Sequence, residues 1–302
     1  MSRNKTTILL TGITGQVGHA LRSRLVAIGS VVAVSREQLD LRSTDDIRTI
    51  VKTIQPDIII NPAAYTAVDL AESNPSLAHA INGTAPRILA EEAERCGALL
   101  IHYSTDYIFD GTNTVPYVET DTPNPLGVYG ESKLVGELAI QATDAQHLIL
   151  RTSWVYGNYG KNFMLTMLNL AASGERLQVV ADQFGAPTSS ACIAEATVEI
   201  IKRWDPQKVG TYHLTNAGQT SWHGFCTKIL SQYEALSSTL AWPMLKIKAS
   251  QVQALTSSDY PTIARRPHYS VLSNQKLQTS FGIVLPDWQI ELKRVLSTRN
   301  SV

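Results

Sequence analysis

Tyr129 and Lys133 stand four residues apart in the run Val128-Tyr-Gly-Glu-Ser-Lys133. On a helix that spacing puts both side chains on one face, a turn apart. A phenol beside an ammonium is easier to ionise, because the positive charge favours the phenolate. The pair is suited to general acid or base chemistry near neutral pH, which an isolated Tyr titrating near ~10 is not. Upstream, the apolar run Leu100-Ile-His-Tyr ends in two hydroxyls, Ser104 and Thr105. Hydroxyls at a strand end donate to a substrate carbonyl and share with the Tyr the stabilisation of an oxyanion.

A third feature supplies a reactant for that chemistry. An apolar run over 6–10 enters Thr11-Gly12-Ile13-Thr14-Gly15-Gln16-Val17-Gly18, and a helical pattern follows. Glycine at the turn lets backbone approach a pyrophosphate, and the helix N-terminus presents free N–H groups to its charge. The spacing is G-x-x-G-x-x-G rather than the G-x-G-x-x-G of the dehydrogenase fingerprint. After the second apolar run come Ser35-Arg36 and then Asp40-Leu41. An Arg near the adenosine ribose holds a 2′-phosphate, whereas an Asp at a strand end bonds the 2′-OH or the adenine. Arg36 therefore favours NADPH, with NADH left open.

These residues need elements to carry them. Short β-rich runs over 6–10, 31–35, 57–61, 99–104 and 147–151 alternate with helical patterns over 16–28, 44–54, 76–96 and 128–142. Such alternation predicts an α/β fold, a Rossmann-type doubly wound parallel sheet covered on both faces. The informative loops all follow strands, so they converge on one cleft at one sheet edge. Beyond residue 151 the pattern loosens, with helices expected over 162–173, 191–204 and 222–233 and an amphipathic segment over 286–296. We expect a cofactor-binding domain over 1–151 and a smaller, interleaved C-terminal substrate-binding lobe over 152–302, some of whose segments return to the sheet.

Composition narrows the partners. The 302 residues are 44% hydrophobic and 17% charged, ample for a core of this size. Lys+Arg and Asp+Glu number 26 each, so no basic field invites nucleic acid. No run approaches the ~18 apolar residues of a membrane span, and the N-terminal segment is too brief for a signal peptide. Cys96, Cys192 and Cys226 are widely spaced and odd in number, which fits reduced thiols in a cytoplasmic protein. No His spacing suggests zinc.

Taken together, these features resemble the extended short-chain dehydrogenase/reductase superfamily. Segments 11–18, 61–69, 102–111, 128–133, 151–156, 182–188 and 264–267, in order over nearly the whole chain, resemble the dTDP-4-dehydrorhamnose reductase family. The resemblance implies NAD(P)H-dependent reduction of the 4-keto group of dTDP-4-dehydro-β-L-rhamnose, giving dTDP-L-rhamnose for cell-surface polysaccharide. It implies that Tyr129 protonates the developing alkoxide, that Lys133 holds the nicotinamide ribose and lowers the Tyr pKa, and that Thr105, with Ser104 beside it, bonds the sugar near the carbonyl. It assigns Gly12, Thr14, Gly15, Gln16, Val17 and Gly18 to the pyrophosphate, Asp40 and Leu41 to the adenine, and Ala63, Ala64, Tyr65 and Thr66 to the nicotinamide half. Val68 and Asp69 border the substrate, Trp154 packs on its sugar or nucleotide, and Arg265 and Arg266 pair with its diphosphate. Some members hold Mg²⁺ at a homodimer contact through carboxylates. Here His19-Ala20 and Ser189-Ser190-Ala191 stand in those places without carboxylates, which counts against the Mg²⁺ site and leaves a homodimer open.

Two other functions use the same parts. A nucleotide-sugar epimerase or dehydratase employs the same Thr, Tyr and Lys, although dehydratases follow the Thr with Asp-Glu and here Asp106-Tyr107 follows Thr105. A cofactor-binding regulatory protein, similar to the regulatory subunit of methionine adenosyltransferase, is the other. Net consumption of NAD(P)H separates all three.

Overall fold

The computed structural model describes residues 5–174, 176–240 and 242–299. Six strands form one sheet: β1 (Thr7–Leu10), β2 (Ser30–Ala33), β3 (Ile58–Asn61), β4 (Leu99–Thr105), β5 (His147–Thr152) and β6 (Gly210–His213). Their order is β6-β5-β4-β3-β1-β2, and every neighbouring pair is parallel. Side chains alternate across the pleat. Ile8, Leu10, Ile58, Ile60, Ile101, Leu148 and Leu150 meet one layer of helices, and Leu9, Ile59, Leu100 and Ile149 meet the other. With both faces covered, each strand reads as a continuous apolar run, as parallel sheets require.

The first layer comprises α1 (Gln16–Leu25), α8 (Ser190–Lys202) and α10 (Gln275–Phe281), which contribute Leu21, Leu25, Ile193 and Leu277. The second comprises α2 (Thr44–Ile54), α5 (Ala85–Cys96) and α6 (Val128–Gln141), which contribute Ile47, Val51, Ile88, Leu89 and Ile140. The sheet thus has the expected doubly wound form. β1 has β2 on one side and β3 on the other, so the chain reverses its winding between β1 and β3. A crevice opens at the carboxyl ends of the strands at such a switch point.

One expected helix is divided. The pattern over 76–96 is α4 (Pro75–His79), a π-helical turn over Ala80–Thr84, and α5. Pro86 explains the break, since it has no N–H to donate and its ring displaces the carbonyl four residues back. That carbonyl belongs to Asn82, and α6 approaches it so closely that a Cβ on Gly136 would lie 2.1 Å from its oxygen. A short α3 (Val68–Ser73) precedes this element and was not expected.

The later part of the chain has its own core. Met164 and Leu168 of α7 (Phe163–Ser173), Phe225 and Ile229 of α9 (Trp222–Leu240), and Trp288 and Leu292 of α11 (Trp288–Ser297) pack together. Asn162 caps α7 by accepting from Leu165 N at 3.1 Å, and Ser189 caps α8 by accepting from Cys192 N at 2.9 Å. Three short ribbons join Val155–Tyr156 to Thr188–Ser189, Gln178–Val180 to Gln253–Leu255, and Phe184–Gly185 to Thr220–Ser221. β6 returns from this region to the sheet edge beside β5.

Candidate active site

The glycine loop is shaped by close backbone approach. Gly12 lies at φ +59°, where a side chain is strained, and a Cβ there would sit 2.7 Å from Ala63 N. A Cβ on Gly18 would lie 2.2 Å from Gly12 O, so only glycine lets α1 start this close to the turn. Gly15 precedes the helix as its N-cap without a capping side chain, and the first turn holds no carboxylate. The leading N–H groups of α1 are left for an anion.

This loop forms one wall of a cavity of about 490 Å³, within the range of small-molecule sites. Gly12, Thr14, Gly15, Gln16, Val17, Arg36, Asp40, Leu41, Ala63, Ala64, Tyr65, Thr66, Ser104, Tyr129 and Lys133 all line it. Gly18 lies behind the loop rather than on the wall. Buried Val34 and Leu39 add an apolar face near Arg36. Ser104 Oγ and Thr152 Oγ1 are buried without a hydrogen-bond partner among the described residues, although both residues line the cavity. A glycine cradle, an uncapped helix start, an exposed Arg and two unpartnered hydroxyls fit a dinucleotide with a 2′-phosphate.

Asn82, carried by the π-helical turn, fixes the loop over 63–66. Its Oδ1 accepts from Tyr65 N at 2.8 Å, and its Nδ2 donates to Tyr65 O and to Ser132 Oγ, each at 3.0 Å. Asn82 thus acts as a strand for one residue. It fastens the loop to α6, which also carries Tyr129 and Lys133.

Lys133 departs from expectation. Its Nζ donates to Tyr103 O at 2.6 Å and lies 3.0 Å from His102 Nε2. Burial pulls the Lys133 ammonium down to about 8, against the opposing pull of Glu137. Burial pushes the Tyr129 phenol up to about 12, with the Asp106 charge adding to this and a hydrogen bond with Thr105 opposing it. Sharing a helix face therefore does not give Tyr129 a lowered pKa here: burial outweighs the hydrogen bond with Thr105, and the Lys133 ammonium is turned to Tyr103 O and His102. A phenol held protonated is an acid in waiting, not a base.

Thr105, buried at the end of β4, accepts from Tyr107 N at 3.2 Å and donates to Asp106 Oδ1 at 3.1 Å. Burial raises the Asp106 carboxyl to about 6. Behind them, buried Arg151 of β5 grips buried Glu137 of α6, with Nη2–Oε2 at 2.7 Å and Nε within 3.1 and 3.2 Å of the two oxygens. The pair ties the helix bearing Tyr129 to the sheet.

A crevice of about 10 Å³, room for a single water, adjoins Tyr129 and is lined by Val68, Glu72, Tyr107, Gly127, Arg265 and Pro267 among others. Tyr129 belongs to both cavities. Glu72 sets the start of α6 by accepting from Val128 N at 2.8 Å. Three expected substrate contacts fall elsewhere. Arg266 Nη2 donates to Asp69 Oδ2 at 3.0 Å, and Asp69 Oδ1 accepts from Ala264 N, so these two residues tie the chain to α3, while Arg266 Nε stays buried without a hydrogen-bond partner among the described residues. Only Arg265, exposed at the cleft, stays available to a diphosphate. Trp154, at φ +44°, stacks on Trp222 with ring centroids 3.5 Å apart and planes 7° from parallel, and it lines neither cavity. Asp40 lines the cavity, but its carboxylate is gripped by Arg42 at 2.5 Å, which holds it down at about 2.

Several lining residues escaped sequence reasoning. Lys161 and Gly160 reach the cavity from the later part of the chain, and Ile81 from the π-helical turn. Nothing local marks them, because only the tertiary fold brings them to the glycine loop. His19 and Ser189, where carboxylates were missing, stack on Tyr159 and bond Glu291 respectively.

A family model described as RmlD substrate binding domain matches residues 6–301. A dTDP-4-dehydrorhamnose reductase from Burkholderia thailandensis is 45% identical over 288 residues, covering 93% of this chain and 95% of the relative. One from Escherichia coli is 43% identical over 296 residues, covering 96% and 97%. The crystal structure of a dTDP-4-dehydrorhamnose reductase from Bacillus anthracis in complex with NADP superposes with a TM-score of 0.88 at 33% identity, covering 97% of this chain and 99% of that one.

Proposed function

Since the chain belongs to the RmlD substrate binding domain family, in company with dTDP-4-dehydrorhamnose reductases, we propose that it reduces the 4-keto group of dTDP-4-dehydro-β-L-rhamnose to dTDP-L-rhamnose with NADPH. The observation that carries this reading is the position of Tyr129 on the wall of the dinucleotide-sized cavity, together with Ser104 and Lys133. When bound, NADPH supplies hydride to the carbonyl carbon. The protein supplies the rest. Gly12, Thr14, Gly15, Gln16 and Val17 hold the pyrophosphate through backbone N–H groups, and Arg36 holds the 2′-phosphate. Ala63, Ala64, Tyr65, Thr66 and Lys133 hold the nicotinamide half. Val68 borders the sugar, and Arg265 meets the substrate diphosphate.

Tyr129 gives its phenolic proton to the carbonyl oxygen as that oxygen becomes an alcohol. Thr105 steadies the phenol, and Ser104, with an otherwise unpartnered hydroxyl, donates to the same oxygen. Lys133 offsets the phenolate that remains until solvent restores the proton. Burial keeps Tyr129 in the protonated form that reduction requires. In this reading residues 1–151 carry the cofactor and 152–302 mainly the substrate. Three unpaired thiols, two of them buried, support a cytoplasmic protein.

The test is loss of the near-ultraviolet absorbance of NADPH on adding enzymatically prepared dTDP-4-dehydro-L-rhamnose, with the product identified by mass spectrometry and NMR. Stoichiometric oxidation with dTDP-L-rhamnose formed supports the reading. Cofactor binding without oxidation, or epimerised product without net oxidation, overturns it.

A further inference from the structure

A line of buried polar groups runs under the cavity floor from one strand end to the next. Thr11 Oγ1, just past β1, donates to Asn61 Oδ1 at 2.6 Å, and Asn61 Nδ2, at the end of β3, lies 3.1 Å from His102 Nδ1 on β4. His102 Nε2 lies 3.0 Å from Lys133 Nζ on α6. Thr11, Asn61, His102 and Lys133 are each at most 2% exposed. Nothing in the reductase chemistry above uses His102.

The ring is the only partner of Lys133 in this line able to play both hydrogen-bond roles. Tyr103 O accepts and cannot donate. When Lys133 is an ammonium, it donates to a bare Nε2, the ring proton sits on Nδ1, and the Asn61 carboxamide presents its oxygen. When Lys133 is an amine, Nε2–H donates to it, and the carboxamide presents its nitrogen to Nδ1 and its oxygen to Thr11. A carboxamide turns between these arrangements without moving its other atoms. Burial and the Lys133 charge hold His102 unprotonated, so the ring stays amphoteric instead of becoming a second cation. The charged and titratable groups acting on Lys133 besides His102 are Glu137 on its own helix, itself held by Arg151 of β5, and Tyr129 one turn back, with Asp106 acting on Tyr129.

We propose that His102 is a positioning residue of the reductase, holding Lys133 Nζ at the nicotinamide end of the cavity in both of its protonation states through Nε2. The inference rests on the reductase reading. It adds to it a residue that touches neither substrate nor cofactor and acts through Lys133.

Two substitutions distinguish the two ring nitrogens, since a Gln side-chain amide reaches the place of Nε2 and an Asn amide only that of Nδ1. Both variants are compared with the full-length parent by thermal melting, by NADPH affinity from fluorescence titration across pH, and by kcat and KM across pH. His102→Asn strips Lys133 of its side-chain partner and leaves it only the Tyr103 carbonyl. NADPH affinity is expected to fall by about tenfold, and the alkaline limb of kcat to move down by about one pH unit, because the charge-assisted bond to the ammonium is about tenfold stronger than the neutral bond to the amine. His102→Gln restores both to within about threefold of the parent, as expected if one hydrogen bond at Nε2 is what matters. If Gln is as impaired as Asn, or if Asn binds NADPH like the parent with an unmoved limb, the proposal is overturned and His102 is packing. A parent that binds NADPH but does not oxidise it defeats the reductase reading. In that case the affinity comparison still decides the role of His102.

Discussion

Replacing Tyr129 with Phe removes one oxygen atom at the point where the two cavities meet, and the structure predicts separate consequences for folding and rate. The ring remains, including its edge-to-face contact with Tyr107 at 5.7 Å. The hydroxyl's partner, Thr105, keeps its bonds to Asp106 and Tyr107 N, so no buried group is orphaned. Stability should therefore change by less than about 1 kcal/mol, or about 2–3 °C in melting temperature. The rate is another matter. No second phenol or ammonium lines both cavities, so the alkoxide must take its proton from water. A positioned general acid is worth roughly 10²–10⁴-fold, or about 2.7–5.5 kcal/mol of transition-state stabilisation. The assay is NADPH oxidation under saturating keto-sugar, with NADPH affinity measured separately by fluorescence. We expect kcat to fall by that factor while affinity stays within about twofold, because the cofactor contacts are untouched. Turnover within tenfold of the parent, with an unchanged melt, refutes the proton-donor role. An equal loss of affinity and turnover refutes it differently, by making Tyr129 a binding residue.

Arg36→Ala should raise KM for NADPH by roughly ten- to a hundredfold and leave NADH unaffected, since a lost charge-assisted bond to the 2′-phosphate is worth about 1.5–3 kcal/mol; parallel titrations with the two cofactors decide. Lys133 has a folded pKa near 8 against 10.5 for the free side chain. The unfolded chain thus binds the extra proton between those values, and stability from this group rises with pH across that window. The parent should gain up to about 3 kcal/mol relative to Lys133→Met between its folded and unfolded pKa values, read by denaturant titration at several pH values. Glu137→Gln leaves Arg151 buried without its counter-charge and should cost about 3–5 kcal/mol; a melt within a few degrees of the parent would contradict this.

The features legible in the sequence were those decided by short-range geometry. Gly12 and Gly18 announce a backbone approach that only glycine permits, and the β-runs with their intervening helices announce the sheet. Tyr129 and Lys133 announce a shared helix face. What each side chain meets across the fold was not legible. Lys133 turns to His102 and Tyr103, Arg266 to Asp69, and Trp154 to Trp222, over separations of 30 residues or more that no local pattern encodes. The Asp40–Arg42 pair is local, but an exposed ion pair of this kind leaves no periodic trace. His102 itself sat in plain view in an apolar run, with no spacing to another His that would mark it. Pro86 was the visible signal that the long helix would break, though not that the break would carry Asn82 to the loop over 63–66.

The late arrival of β6 shapes how this chain is made. β5 finds its inner neighbour, β4, as soon as it emerges, but its outer neighbour begins roughly 60 residues downstream, which at about 5–20 residues per second is about 3–12 s of translation. Throughout that interval the β1–β3 crevice can already assemble while Leu148, Ile149 and Leu150 border an unpaired ladder. Such an edge is a template for any other extended strand nearby. Slower elongation, or a nascent chain stalled before residue 210, prolongs that exposure.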